Sequence, residues 1–204
     1  MVVTDLYPVG VPGLQADPRA VDVEGATRAV SDLLEALGYD LGDPDLVDTP
    51  GRVARAYQEL VEPRPFRVTT FANDEGYDEL VVVRDVAFRS LCRHHLLPFA
   101  GVAHVGYVPG DRLIGLSKLA RVVEHAAAGL QVQESISVRV TDWLMEQLDP
   151  RGAGVVLDAE HACMSHRGVQ AKGARTVTSS LRGTLRTDPA RGEFLTLADP
   201  GRRA

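Results

Sequence analysis

Two cysteines and their neighbours constrain this fold more than any other feature. Cys92 lies in "SLCRHHLLPF" with His94 and His95, and Cys163 lies in "DAEHACMSHRG" with His161 and His166. The chain has only six histidines and two cysteines, yet each thiol has an imidazole at ligand spacing. Cys92-x-x-His95 suits a tight turn that aims both side chains at one point. A strand over Val155–Cys163 would place His161 and Cys163 on one face. Thiolate plus imidazole is a donor mix that suits zinc. If one ion is held by both segments, they must meet in space. Catalytic zinc keeps three protein ligands and one open position. After the two thiols, His94, His95, His161 and His166 compete for the third place. Adjacent residues of an extended segment diverge, so His94 and His95 should not both bind.

The rest of the chain reads as an ordinary globular domain. It has 204 residues, 45% hydrophobic and 25% charged, enough for a core without disulfides. The net charge of −6 gives no basic field for nucleic acid. No apolar run approaches the ~18 residues of a membrane span, and the opening residues lack the pattern of a secretion signal. A cytoplasmic location with free thiols is expected. Only Lys118 and Lys172 are lysines among the 22 basic residues.

Residues 1–20 read as a flexible arm and 21–65 as a helical region. Val23, Ala26, Val30, Leu33, Leu34 and Leu37 fall at helical spacing, with Gly38 as the stop. Thr49 is expected to cap a second helix, with Pro50 in its first turn. Pro63 and Pro65 end it. From residue 66 to 204 the texture predicts β-β-α-α-β-β. "ELVVVRDVAF" and "AGVAHVGYVPGD" are strands. Ser117 should cap a helix with Leu116, Leu119, Val123 and Ala127 on one stripe. The next helix carries Val132, Ile136, Val140, Trp143, Leu144 and Leu148. "GAGVVLDAEHAC" and "ARTVTSSLRGTLR" complete the strands.

Read in order, "SLCRHHLLPFAGVAHVGYVP", "IGLSKLARVVEH", "LQVQE", "AEHACMSHRGV" and "TVTSSLRG" resemble GTP cyclohydrolase I, from about residue 20 to about residue 198. The resemblance implies an α+β tunnelling fold. Its ββααββ unit is an antiparallel sheet that closes into an oligomeric barrel with neighbouring subunits, here with an N-terminal helical extension. It further implies a homodecamer of two pentamers. Zn2+ would be held by Cys92, His95 and Cys163, with His94 and His161 as catalytic residues. GTP and water would give 7,8-dihydroneopterin triphosphate and formate, the first step of pterin and tetrahydrofolate biosynthesis. Metal-activated water would attack purine C8, which is a poor electrophile until N7 is protonated, the task of His161. His94 would move protons in later steps.

Guanine offers N1–H and an amine, and the Glu134 carboxylate can accept both, with Gln133 beside it. Glu134 is also an ordinary acidic residue for a first helical turn. The triphosphate calls for cations. Ser117, Lys118 and Arg121 stand at a helix start that favours anions, and Arg167 follows the second cysteine segment. Arg52 is a further substrate-binding candidate implied by the resemblance. Three positions depart from the family pattern. Arg93 replaces the acid of Cys-Glu-His-His, Gly129 stands where arginine is common, and Leu185 where phenylalanine is common. A related tunnelling-fold enzyme acting on a different purine or pterin, or a specialised paralogue making the same product, is the alternative. A nitrile reductase needs no zinc, and a zinc deaminase needs a Pro-Cys-x-x-Cys segment that is missing. A non-catalytic binding protein would have no use for both His94 and His161.

Overall fold

The computed structural model describes residues 20–199, so the expected arm falls almost wholly outside the described residues. Helix α1 (Val23–Ala36) follows the predicted apolar spacing, and the Asp22 carboxylate accepts the Gly25 N–H at 2.8 Å. Gly38 adopts φ +87°, the left-handed conformation that ends a helix. Helix α2 (Thr49–Val61) corrects the capping expectation by one residue. Asp48 occupies the cap position, Thr49 is already helical, and the Asp48 carboxylate pairs with Arg52 at 3.0 Å instead of capping.

The chain then forms β1 (Thr70–Ala72), β2 (Val81–Cys92), β3 (Pro98–Val108), β4 (Arg112–Ile114) and α3 (Leu116–Ala127). It continues with β5 (Leu130–Gln131), α4 (Gln133–Leu148), β6 (Gly152–His161), α5 (Ala162–Ser165), β7 (Thr176–Gly183) and α6 (Ala190–Leu197). The main sheet runs β5-β2-β3-β6-β7 and is antiparallel except for the β2/β5 pair. This is the expected ββααββ order in a mixed half-barrel. β1 and β4 pair separately.

One face of the sheet carries the main core. Ala103, Val105, Tyr107, Val155 and Leu157 meet Leu119, Val122 and Val123 of α3 and Ile136, Val140 and Trp143 of α4. Ser117 does not cap α3. Gly115 holds that position, and Leu116 is 60% exposed, off the buried stripe. The opposite face is covered by α6, a helix not read from the sequence. Phe194 packs there with Val156, Leu181 and Leu185. Gly154 makes room for it, since a Cβ at this position would come within 2.8 Å of the Phe194 ring. The strand expected through "ARTVTSSLRGTLR" stops at Gly183 (φ +57°), and Thr184–Arg186 form a 3-10 turn.

His104 of β3 lies inside this structure with no exposed surface. Its Nδ1 accepts the Asp85 N–H at 3.3 Å, where β2 bulges between Val83 and Val86 and Asp85 adopts φ +55°. The ring hydrogen therefore sits on Nε2, which has no partner among the described residues. Burial holds the His104 pKa below 6.5, and Asp85 only partly opposes this. As pH falls below 6.5 the unfolded chain takes up a proton that the folded chain resists. Stability is then full above that pH and declines below it. The thermal midpoint should drop between about pH 7 and about pH 5, and His104→Asn should flatten that dependence. An equally steep profile in the variant would assign the loss to other groups.

Candidate metal centre and active site

The end of β2 and the start of β3 build the first half of the site. The Cys92 N–H donates to the Leu97 carbonyl at 2.8 Å, and the His95 and Leu96 N–H groups donate back to the Cys92 carbonyl at 3.3 and 2.9 Å. Leu96 takes φ +57° to close this turn. The turn swings the His95 ring toward the thiol, with Nδ1 3.6 Å from Cys92 Sγ. Tyr57 of α2 braces it, donating its hydroxyl to the Leu96 carbonyl at 3.0 Å. His94 is exposed and its ring stands at 88° to that of His95, so the two diverge as expected.

The second half comes from β6 and α5. The register pairs Phe99 with His161, which sets the two segments side by side. The strand ends at His161, so the expected strand through Cys163 is corrected. One helical turn follows, and it carries Cys163 to Sγ–Sγ 4.0 Å from Cys92. The donor atoms of Cys92, His95 and Cys163 all lie within 4.8 Å of one another. Cys92 is buried, Cys163 half-buried and His95 exposed, so the group opens toward solvent on the imidazole side. Burial, then the adjacent Cys92, push the Cys163 thiol above its usual pKa. Two thiolates this close repel, and a divalent cation relieves that repulsion. Two sulfurs and one imidazole can therefore hold a metal, and three protein ligands are the count of a catalytic site.

His161 is left out of that group and is held by other contacts. Its ring stacks on Phe99 with centroids 4.4 Å apart and planes at 5°. Its Nε2 lies 2.8 Å from Gln133 Oε1. Gln133 is 1% exposed, and its amide N–H₂ group faces the Leu157 carbonyl at 3.2 Å, the Thr176 carbonyl at 2.8 Å and the Thr178 hydroxyl at 3.2 Å. The amide nitrogen is committed to those acceptors, so the carbonyl oxygen must face His161. A carbonyl only accepts, hence His161 carries its proton on Nε2 and keeps the Nδ1 lone pair. Burial holds its pKa below 6.5 while the Glu134 carboxylate pulls it back up.

The remaining candidates fall at several places. Glu134 is exposed in the first turn of α4. Arg167 is exposed just past α5, and its charge is felt at Cys163. His166 bonds to the Ser165 hydroxyl at 2.8 Å. Ser117, Lys118 and Arg121 lie in the first turns of α3, where Arg121 pairs with Glu124 at 3.1 Å. Arg52 pairs with Asp48 on α2. Among the described residues no hydrogen bond or ion pair joins these α2 and α3 residues to the cysteine-histidine group. A groove of about 940 Å³ between α2, α3 and β2 contains none of the predicted site residues. Phe99 and Tyr57 were not anticipated. "LPF" beside the histidines is the only trace of Phe99 in the sequence, and Tyr57 leaves none.

A family model described as GTP cyclohydrolase I matches residues 26–199. GTP cyclohydrolase 1 of Streptomyces avermitilis is 48% identical over 197 residues, covering 89% of this chain and 97% of that protein. The GTP cyclohydrolase 1 of Mycolicibacterium gilvum is 50% identical over 182 residues, with 86% and 90% covered. That of Aquifex aeolicus is 46% identical over 179 residues, with 87% and 97% covered. With its cysteine-histidine group, its ββααββ order and a match that spans nearly all the described residues, the chain belongs to the GTP cyclohydrolase I family.

Proposed function

We propose that the chain hydrolyses GTP to 7,8-dihydroneopterin triphosphate and formate, with Zn2+ bound by Cys92, His95 and Cys163. The convergence of those three donors beside an oriented His161 carries the reading. When bound, zinc supplies Lewis acidity, enough to bring the pKa of water from ~15.7 toward ~7.

The protein's own groups supply the rest. His161 delivers a proton to the purine ring nitrogen, which makes C8 electrophilic. To deliver it the ring must carry a second proton, on Nδ1; burial disfavours that form and makes it the stronger acid, while the Glu134 carboxylate favours it. Phe99 and Gln133 fix its plane and tautomer, so Gln133 serves as a positioning residue. His94, exposed on the neighbouring turn, is free to move protons in later steps. The Glu134 carboxylate accepts from guanine N1–H and the amine. Ser117, Lys118, Arg121, Arg167 and Arg52 bind the triphosphate.

The cations of α2 and α3 are not joined to the metal-ligand group within one chain, which supports a site shared between copies. The outer edges of β2 and β7 add to this, since β2 pairs on its outer side only at Leu91 and Cys92. A decamer of two pentamers, with barrels closed through those edges, fits this arrangement. The chain divides as arm 1–20, helical region 21–65 and catalytic domain 66–204. A cytoplasmic location fits two free thiols, and no helix of the described residues is long and apolar enough to cross a membrane.

Purified protein should contain about one zinc per chain by metal analysis, and Cys163→Ser should lose zinc and formate release together. Zinc retained in that variant would move the ligand set elsewhere. His161→Ala should keep its zinc while formate release falls by about 10²–10⁴-fold. Near-normal turnover would remove its catalytic role.

A further inference from the structure

The turn that presents His94 and His95 has little packing to hold it. Residues 93–96 are all exposed, so the His95 imidazole takes its direction from the backbone. Leu96 closes the turn at φ +57°, a conformation unfavourable for a residue with a Cβ. Such a residue keeps it only where its surroundings impose it. The Arg93 N–H donates to the Gln131 carbonyl at 3.0 Å and ties down the start of the turn. At the far end the Tyr57 hydroxyl donates to the Leu96 carbonyl at 3.0 Å.

Tyr57 belongs to α2, a helix whose position is fixed by contacts other than this turn. Ala54 and Leu60 lie one turn before and one turn after Tyr57. Ala54 is buried, and the Leu60 carbonyl accepts the Gly129 N–H at 3.1 Å. Just past the helix, Arg64 pairs with Glu124 of α3 at 2.5 Å. A tyrosine side chain is a rigid ring on a short stem. Its hydroxyl therefore reaches Leu96 from a support that does not itself depend on the metal-ligand turn.

We propose that Tyr57 is a positioning residue for the metal ligand His95. By holding the Leu96 carbonyl it keeps the turn in its left-handed conformation and the imidazole directed at Cys92, with Nδ1 3.6 Å from Sγ. With that carbonyl released, the turn can relax and carry the ring away from the thiol. The hydroxyl thus raises metal affinity through a ligand it does not touch, as partners behind a ligand do. The inference rests on the metal assignment above and extends it to a residue of the helical region.

The test measures zinc affinity of the full chain by competition with a chromophoric chelator, together with thermal midpoints with and without zinc. Tyr57→Phe removes the hydroxyl and keeps the ring. It should weaken zinc binding about threefold to tenfold, while the metal-free midpoint stays at the wild-type value. With cobalt in place of zinc, the thiolate-to-metal absorption should persist and the d–d bands should shift as the imidazole loosens. Zinc affinity and cobalt bands equal to those of the wild type overturn the proposal. So does a midpoint that falls equally with and without zinc at unchanged affinity, since that assigns Tyr57 a structural role only. Tyr57→Leu separates hydroxyl from ring: affinity lost in this variant but kept in Tyr57→Phe means packing, and also overturns the proposal. A wild type that holds no zinc fails the metal reading and this inference with it. Zinc in the wild type with unaltered affinity in Tyr57→Phe fails the inference alone.

Discussion

The antiparallel register that places Phe99 opposite His161 is the constraint on which the site depends. It aligns the turn after β2 with the turn after β6, so two thiols far apart in the chain come within 4.0 Å. It also lays the His161 ring flat on Phe99. A slip of one residue would send every side chain of β6 to the opposite face. It would move the core residues Val155 and Leu157 out of contact with α3 and α4 and dismantle the site in the same step. The packing of the core and the assembly of the donor group are thus one requirement.

Gln133 shows how the interior is used to set a proton. An amide buried to 1% exposure must satisfy its hydrogen bonds or cost ~1–3 kcal/mol. Two carbonyls and one hydroxyl face its nitrogen, so the orientation of the amide is decided before substrate arrives. The tautomer of His161 follows from that orientation. Stacking on Phe99 fixes the ring plane, and the backbone turn into α5 takes Cys163 away toward the other thiol. Neighbouring residues on one segment therefore reach separate tasks because strand geometry ends between them.

The two thiols and their histidines were legible as a candidate donor group because residue type and short spacing are visible in a single chain, whereas the choice of His95 over His94, His161 and His166 came from the family resemblance. The order of strands and helices was legible because their apolar periods differ. Helix starts were not, since Asp48 and Gly115 take the cap positions expected of Thr49 and Ser117. Backbone conformation decides that choice, and several residue types are equally able to fill it. The strand through Cys163 failed for a similar reason. Alternation predicts a face only while the strand lasts, and nothing in "EHAC" announces a helical turn. Helix α6 was missed because eight residues carry too little periodic signal, and Phe194 finds its place only where Gly106 and Gly154 leave the sheet bare. The stacking of Phe99 requires the register, which is a property of two segments at once.

Charge adds a further distinction between the cations. The chain carries a net −6, so an anionic ligand must be drawn by local groups, and at physiological salt their influence fades over ~8 Å. Arg121 and Arg52 are already paired with Glu124 and Asp48 at the surface. Exposed pairs of this kind are worth about 0–1 kcal/mol, so exchanging the carboxylate for a phosphate costs little. Arg121 and Arg52 can therefore leave their carboxylate partners with little change in stability.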